Sequence, residues 1–222
     1  MSELFIELFS EEVPAKLQIK AREQLKEILS NFFEQHGVKY KGEIRIFSTP
    51  NRIAINAKGL PKEVLFKSKE VKGPSINAPD KALDGFLNSN QINKNKIYKK
   101  KTEKGEFYFY KKPQKKISLY NMLRENLPHI LFKITWEKSM KWGEHTLLWG
   151  RPLKSILSIF DGKKLEFDFK HLKSSNLTFI EKDIEEKTKS FNNFDQYLKF
   201  FKTKGVITVS YTHLTLPTIA EV

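Results

Sequence analysis

The order of strand-like and helix-like patterns in the first sixty residues constrains the fold more than any other feature. Residues 3–9 (ELFIELF) alternate with the period of a strand, whereas residues 14–37 carry apolar side chains at helical spacing. Residues 43–48 and 52–57 follow as two further strands around the turn Thr49-Pro50-Asn51. A β-α-β-β order of this kind buries one face of a sheet beneath a helix, which predicts a layered α+β unit.

Later segments extend the same pattern. Periodicity predicts these further elements: a helix at 80–88, a hairpin at 97–101 and 106–111, helices beginning at Ser118 and again at Pro128, strands at 153–160 and 165–169, and a helix at 194–204. Residues 172–192 are polar and are predicted to be a loop or linker. The predicted fold class is α+β, with mixed or antiparallel sheets and helices packed on one side.

The same pattern predicts a main region over residues 1–208 and a separate tail. Within the main region we expect sub-units of about 1–60 and 61–172, then a linker and helix over 173–208. Lysine disappears after Lys204, and Thr, Leu and Pro dominate the last fourteen residues, VSYTHLTLPTIAEV. Because this composition departs from the preceding chain, residues 209–222 are predicted to be a non-native tail, and a short genuine strand is the alternative.

The strong positive charge indicates an acidic partner. The formal net charge is +14, and 35 of the 40 basic residues are lysines. Arginine is the better residue for bidentate contacts to phosphates and bases, so an excess of lysine weakens the argument for nucleic-acid binding. Codon drift in an AT-rich genome is the alternative origin of the lysines, and composition leaves both open.

Several classes of site and location are excluded by composition. The absence of cysteine rules out disulfides, thiolate metal sites and cysteine nucleophiles. The five histidines are scattered without HxxH or HExxH spacing, so no metal site is predicted. The acidic start MSELFIELFSEE lacks the basic region of a signal peptide, and no apolar run approaches the roughly 20 residues of a membrane span. We therefore expect a cytoplasmic protein without membrane contact.

Residues 136–151, the tryptophan segment, hold every tryptophan of the chain among basic residues. The segment contains three indoles and three cations: Trp136, Trp142, Trp149, Lys138, Lys141 and Arg151. A solvated loop does not need three indoles, and a core strand does not need cations between them. The combination is typical of a rigid, positively charged surface that contacts nucleic acid or another protein. The tryptophans are expected to be packing anchors that hold the basic residues in place.

Motifs of the common catalytic sites are missing. The sequence has no GxxxxGK[ST], no GxGxxG after a strand and no GxSxG. Glu11 and Glu12 are adjacent, which in an extended stretch turns their carboxylates to opposite faces, and their place before a helix indicates a role at its N-terminus. His145 lies near two tryptophans, a setting in which a histidine is more often packed or exposed than catalytic. No catalytic residue is predicted.

Six short segments carry a resemblance to a known family. In order they are 7–16 (ELFSEEVPAK), 47–52 (FSTPNR), 71–75 (VKGPS), 104–106 (KGE), 138–143 (KSMKWG) and 151–152 (RP). Their order and spacing resemble the N-terminal part of the β subunit of bacterial heterotetrameric glycyl-tRNA synthetase. Residues 194–207 (FDQYLKFFKTKGVI) are similar to the family's next helix and strand. By this resemblance residues 1–208 are expected to be the N-terminal region of that subunit, roughly its first third.

The chain departs from the family pattern at three places. Asn51 stands where the family usually has an arginine, and Lys141 replaces the usual arginine of the tryptophan motif. A Gly-His-Arg element expected after residue 178 is absent, and the chain continues there as Phe-Ile-Glu. One possible phosphate contact and any role of the Gly-His-Arg element are therefore missing here.

The resemblance implies a glycine–tRNA ligase of two α and two β subunits. In that family the α subunit holds the class II site, where ATP and Mg²⁺ are used to make glycyl-adenylate and glycine passes to the tRNA 3′ end. The β subunit supplies most of the tRNA recognition. The expected partners are therefore the α subunit and tRNA-Gly, not DNA, and this chain is expected to bind no cofactor or metal and to hold no catalytic residue.

Five basic residues are the resulting candidates for RNA contact: Arg52, Lys72, Lys138, Lys141 and Arg151. Lysine and arginine neutralise phosphates, and an aromatic ring can stack on an unpaired base. Two alternatives stay open. One is a non-catalytic interaction scaffold whose tryptophan segment faces a protein, and the other is a general basic RNA-binding domain.

Overall fold

The chain forms two compact units. The computed structural model describes residues 2–66, 70–102, 105–181 and 187–204. Unit 1 consists of Met1–Val64 with Ser118–Val222, and unit 2 is Leu65–Ile117. The division predicted near residues 60 and 172 differs, because the chain returns to unit 1 at residue 118. The predicted non-native tail, residues 209–222, lies outside the described residues.

The described residues form helices and strands, and the strands of the main sheets pair antiparallel, as in an α+β protein. In chain order they are β1 (Ser2–Ser10), α1 (Ala15–Gln35), β2 (Ile44–Thr49), β3 (Arg52–Leu60), β4 (Glu63–Phe66), β5 (Glu70–Ser75), α2 (Asp80–Asn90), a 3-10 turn at Lys94–Lys96, β6 (Ile97–Thr102), β7 (Gly105–Lys111), β8 (Lys115–Ser118), α3 (Leu119–Phe132), β9 (Leu153–Phe160), β10 (Lys163–Lys164), β11 (Asp168–Phe169), β12 (Leu172–Lys173), β13 (Leu177–Glu181), β14 (Lys187–Ser190) and α4 (Phe194–Thr203). The predicted α+β class is confirmed.

A five-stranded antiparallel sheet organises unit 1. Its strand order is β10-β9-β1-β3-β2, so the first strand of the chain lies at the centre. Ile6 stands opposite Ile55 of β3 on one side and Ser158 of β9 on the other. A central strand is covered on both faces, and β1 is accordingly buried along almost its whole length.

Helices α1 and α3 cover the sheet face that carries Leu4, Ile6 and Leu8. From α1, the Arg22 guanidinium donates a hydrogen bond to Ser48 on this face. From α3, Tyr120 packs 6.5 Å from Phe160, which stands opposite Leu4. The expected packing of helices on one side therefore holds for these two helices.

Helix α4 lies on the opposite sheet face. Its apolar stripe, Phe194, Tyr197 and Phe201, packs with Phe5, Ala54, Leu157 and Ile159. The Phe5 ring meets that of Phe194 edge-on at 5.3 Å. Phe5 lies between Leu4 and Ile6 along β1, so its side chain points to the opposite face of the sheet. Helix α4 buries it there.

Helix α1 begins and ends at the residues that its sequence predicts. Pro14 precedes its first turn, where a missing N–H costs nothing. At the other end Gly37 has φ +64°, and the N–H of Val38 reaches back to the Phe33 carbonyl at 2.8 Å. A left-handed residue after the last turn is the usual way to satisfy the final carbonyl groups, and glycine adopts it without strain.

Two local predictions are corrected. Helix α3 runs through Pro128 without a restart, because Leu123, Leu127 and Leu131 bury one continuous apolar face. Part of the predicted linker at 172–192 forms strands, and β13 pairs with β14 in antiparallel register. The polar composition concealed them, since β14 is exposed along its whole length.

Unit 2 is a three-stranded antiparallel sheet in the order β5-β7-β6 with α2 packed on one face. The predicted hairpin of β6 and β7 is confirmed, although its Lys104 lies outside the described residues. Leu87 of α2 packs with Ile92 and Tyr110 in a small core of their own. In the part of the chain that the structure describes, no helix is long and apolar enough to cross a membrane.

A buried ion pair lies under α4. Arg52 is 6% exposed and Glu7 is 0% exposed, and Arg52 Nη1 donates to Glu7 Oε2 at 3.0 Å. Nη1 also lies 2.8 Å from the Thr178 hydroxyl, which donates to the other Glu7 oxygen. Burying two charges is costly unless their remaining hydrogen-bonding groups are satisfied, and here Thr178 completes the pair.

Phenylalanine rings and a backbone carbonyl enclose the same guanidinium. The centre of the Arg52 guanidinium lies 4.4 Å from the Phe9 ring and 4.6 Å from the Phe201 ring. Nη2 donates to the backbone carbonyl of Phe179. Arg52 therefore joins β3 to β1, β13 and α4. Beside it, burial and then the charge of Glu7 raise the pKa of Tyr197 well above its ordinary value.

We expect Arg52→Ala to lower the free energy of unfolding by about 3–5 kcal/mol, since it leaves the Glu7 carboxylate buried without its partner. Urea denaturation measures the loss. The control is Arg45→Ala, which removes an exposed ion pair to Glu43 of the same 3.0 Å length and should cost less than about 1 kcal/mol. Equal losses in the two variants would contradict the assignment.

Candidate functional site

Three of the six segments singled out in the sequence meet at one end of the main sheet. Backbone hydrogen bonds join them: Ser10 N to Asn51 O at 2.9 Å, Val13 N to Pro50 O at 2.6 Å and Glu11 N to Pro152 O at 3.0 Å. The end of β1, the turn between β2 and β3 and the start of β9 thus form one hydrogen-bonded unit. The tryptophan segment enters β9 through this unit, so its last residues are rigidly held.

The tryptophan segment closes on itself. Met140 and Trp149 form an isolated antiparallel bridge, with N···O distances of 2.9 and 3.3 Å. Trp149 is buried, and its ring lies edge-on to that of Phe169 at 5.8 Å. The bridge and the buried indole hold residues 140–149 as a defined loop without regular secondary structure.

Trp136 packs against the other end of the loop. Its ring centre lies 5.2 Å from that of Trp149, and its six-membered ring covers the Cα of Gly150 so closely that a Cβ there would overlap it. The indole Nε1 is buried and has no hydrogen-bond partner among the described residues. A glycine at 150 is therefore a packing requirement of Trp136.

Side chains of α1 hold the entry to the segment. Gln24 Nε2 donates to the Thr135 carbonyl at 2.9 Å, and Gln24 Oε1 accepts from the Thr135 N–H at 2.9 Å. Lys20 pairs with Glu137, and this hydrogen bond lowers the pKa of the Glu137 carboxyl. These groups, with Leu17 and Trp136, line a cleft of about 320 Å³. The segment is thus fixed to α1 at its start and to the sheet at its end.

Two histidines and Trp142 form a cluster at the loop tip. The His145 and His171 rings are stacked, with centres 3.7 Å apart, and Trp142 meets His171 edge-on at 5.7 Å. Partial desolvation and then the neighbouring His145 lower the pKa of His171. Sequence reasoning missed this pairing, because His171 is 26 residues from His145 and no local spacing connects them.

The predicted basic residues of the segment differ in their surroundings. Lys138 and Lys141 are exposed and form no ion pair with a carboxylate in the described parts of the chain. Arg151 is half-buried, and its Nη1 donates to the Gly150 carbonyl at 3.1 Å. The two lysines therefore present their whole charge to solvent, whereas Arg151 partly anchors the loop.

The other two predicted contacts lie elsewhere. Arg52 is inside the core of unit 1, where its guanidinium is already bound by Glu7, so a phosphate does not reach it. A basic residue beside a turn resembles a surface residue in sequence, but its burial depends on distant partners. Lys72 is exposed on β5 of unit 2, with its ammonium 3.5 Å above the Phe107 ring.

Exposed apolar side chains in and beside the segment were not predicted. Leu148 is 54% exposed, Met140 is 41% exposed, and Phe132 at the end of α3 is 62% exposed. The described residues contain no group of three or more His, Asp or Glu side chains placed to hold a metal ion. The arrangement offers a rigid surface with free ammonium groups and apolar side chains.

Comparison with known proteins shows the family. A family model described as glycyl-tRNA synthetase beta subunit matches residues 4–213. The chain belongs to the glycyl-tRNA synthetase beta subunit family. The family predicted from the six ordered segments is therefore confirmed.

Curated relatives place the chain within that family. The glycine–tRNA ligase beta subunit of Rickettsia conorii (strain ATCC VR-613 / Malish 7) is 37% identical over 197 residues, covering 89% of this chain and 29% of that protein. The corresponding protein of Rickettsia canadensis (strain McKiel) is 36% identical over 207 residues, covering 93% and 31%. That of Rickettsia bellii (strain OSU 85-389) is 38% identical over 197 residues, covering 89% and 30%. The chain spans about three tenths of the length of the curated relatives it matches.

We expect Gly150→Ala to destabilise the tryptophan segment, since the added Cβ overlaps the Trp136 ring. An overpacked core site costs about 1–3 kcal/mol. Thermal unfolding followed by tryptophan fluorescence measures the loss. The control is Gly85→Ala in α2, where a Cβ meets nothing within 4 Å and a helical alanine should be neutral or stabilising. Unchanged stability of the Gly150 variant would show that Trp136 does not require this glycine.

We expect His171 to titrate below the ordinary histidine pKa of about 6.5. A histidine with a lowered folded-state pKa contributes stability that is complete above about pH 6.5 and is lost as pH falls through that value. NMR titration of the ring protons measures the folded-state pKa. His145→Phe keeps a stacking ring but removes its charge, so the pKa of His171 should rise toward 6.5. A pKa of His171 that is already ordinary in the parent chain contradicts this assignment.

Proposed function

We propose that this chain is part of the β subunit of a glycine–tRNA ligase and contributes contacts to tRNA-Gly and to the α subunit. The observation that carries the proposal is the tryptophan segment, which is held at both ends while Lys138 and Lys141 stay exposed and form no ion pair with any carboxylate that the structure describes. Lysines on a fixed backbone neutralise phosphates at a smaller entropic cost than lysines on a mobile loop. Arg151 joins them as a partly anchored third cation.

The chemistry of glycine attachment is assigned in this proposal to the partner. ATP and Mg²⁺ are used at the α subunit, and this chain contributes no catalytic residue and binds no cofactor. The proposed assembly is the cytoplasmic α2β2 tetramer, with tRNA-Gly and not DNA as the nucleic acid. The exposed lysines of the segment support an electrostatic role, since within the described residues no carboxylate pairs with them and their charge is available to phosphates.

A protein-docking role of the same segment has support of its own. Leu148, Met140 and Phe132 are exposed apolar side chains. Interfaces between subunits combine such an apolar centre with a polar rim. We therefore propose that the α subunit covers these side chains while Lys138 and Lys141 face the RNA.

We expect tRNA-Gly binding by the chain to weaken steeply as KCl rises from 50 to 200 mM, because bound phosphates release counterions. Lys141→Ala should reduce the slope of log K against log salt by about 0.7–0.9, the value of one phosphate contact. Fluorescence anisotropy with labelled tRNA-Gly measures both.

The control is Lys26→Ala, which removes an exposed lysine from α1 outside the segment and should leave the slope unchanged. If Lys141→Ala changes neither slope nor affinity, the tryptophan segment is not an RNA surface. Loss of binding to a purified α subunit in Leu148→Ser, with tRNA binding retained, would then favour the docking role alone.

A further inference from the structure

Positive charge is concentrated in unit 2. Residues 65–117 contain 14 lysines and five acidic residues, a net charge of +9, so less than a quarter of the chain carries most of its +14. The tryptophan segment, by contrast, holds two lysines and one arginine against two glutamates. Unit 2 is therefore the stronger electrostatic attractor of the two.

The register of the unit 2 sheet separates its two faces. Val71, Tyr110 and Ile97 stand opposite one another, and α2 packs on the face that they share. The next residues along the strands point the other way. They are Lys72, Phe107, Phe109, Tyr98 and Lys100.

This second face combines aromatic rings with ammonium groups. The Tyr98 and Phe109 rings stack at 6.2 Å with 26° between their planes, and Tyr98 is 38% exposed. Lys72 Nζ lies 3.5 Å above the centre of the Phe107 ring, and Lys100 Nζ lies 5.4 Å from that of Phe109. Rings and cations thus lie side by side on three neighbouring strands.

Glu70 fixes the orientation of Tyr98. Its carboxylate accepts a hydrogen bond from the Tyr98 hydroxyl at 2.7 Å and another from Lys100 at 2.7 Å. The hydrogen bond from Lys100, and after it that from Tyr98, lowers the pKa of Glu70, so the carboxylate stays ionised at neutral pH. Lys100 is therefore largely neutralised, whereas Lys72 makes no ion pair with a described carboxylate.

We propose that this face of unit 2, built by β5, β7 and β6, is a binding platform for single-stranded RNA. Unpaired bases stack on Tyr98 and Phe107, and Lys72 neutralises a backbone phosphate. The inference rests on the proposed function for the RNA as ligand but names a different surface. An aromatic sheet face within a basic unit suits unpaired bases, which expose their faces, better than duplex RNA, which hides them.

A base that stacks on Phe107 is expected to replace the Lys72 ammonium over that ring. An ammonium group over an exposed ring is a weaker contact than a base stacked on an aromatic side chain. An arriving nucleotide therefore displaces the Lys72 ammonium from the ring and offers it a phosphate instead, so the cation gains an ionic partner as the ring gains a base.

The test uses the 222-residue chain and a labelled dodecauridylate, whose bases stack little with one another, against a 12-base-pair RNA duplex. We expect tighter binding of the single strand, and a loss of about tenfold in Phe107→Ala without a change in salt dependence. Lys72→Ala should reduce the salt slope by about 0.7. Lys72 is exposed, so this variant tests the platform even if removal of Phe107 disturbs unit 2.

A matched control exists in unit 1, where Lys189 Nζ lies 4.0 Å from the centre of the Phe200 ring. Lys189→Ala should leave the affinity for dodecauridylate and its salt slope unchanged. The proposal is overturned if the duplex binds as tightly as the single strand or if Lys72→Ala leaves the salt slope unchanged. Displacement of the RNA by equally concentrated polyglutamate would also overturn it, in favour of a general polyanion surface.

Failure of the platform is separable from failure of the proposed function. If Lys141→Ala lowers the salt slope for tRNA-Gly while the Lys72 and Phe107 variants bind dodecauridylate as the parent does, the tryptophan segment remains the RNA surface and only the platform falls. If neither RNA binds in a salt-dependent way, both proposals fail together.

Discussion

The buried pair of Arg52 and Glu7 is the interaction on which unit 1 depends. One guanidinium joins the two central strands β1 and β3 to β13 and lies under α4, through Glu7, Thr178 and the Phe179 carbonyl. Removing two charges from water is costly, and the cost is recovered only where every remaining donor and acceptor is met. An apolar pair of the same volume could pack the layers, but it would not set the register of β13 against the sheet. The polar partners of Arg52 therefore select one arrangement of α4 and β13, whereas apolar contacts alone would allow several.

Local pattern was sufficient for the first sixty residues and for the family. The alternation of β1, the apolar stripe of α1 and the glycine at its end are all short-range signals, and the structure follows them. Arg52 shows where such signals fail. Its position beside a turn is typical of a cation on the surface. The partners that bury it, Glu7 and Thr178, lie 45 and 126 residues away in the sequence. Burial of a charged side chain is decided by contacts of that range, and composition or spacing does not contain them.

The candidate site also has features that local sequence predicts and features that depend on distant contacts. Three indoles in sixteen residues indicate a packed loop, and the contact between the Trp136 and Trp149 rings involves no distant residue. The contacts that fix this loop, however, involve distant residues. Gln24 of α1 holds Thr135, and His171 stacks on His145 only after two separate loops have folded. The positive charge shows the same limit. The total of +14 is visible in the sequence, but the placement of Lys72 and Lys100 on one face with Tyr98 and Phe107 depends on strand register in unit 2.

The central place of β1 has a consequence for synthesis. Its partner β3 leaves the ribosome soon after it, but its other partner, β9, begins only at residue 153, after the whole of unit 2. At about 5–20 residues per second the nascent chain carries one unpaired edge of β1 for on the order of ten seconds. An unpaired, apolar strand edge is a template for pairing with other chains. The chain is thus most open to misassembly, and most in need of a chaperone, in the interval before residues 153–160 emerge.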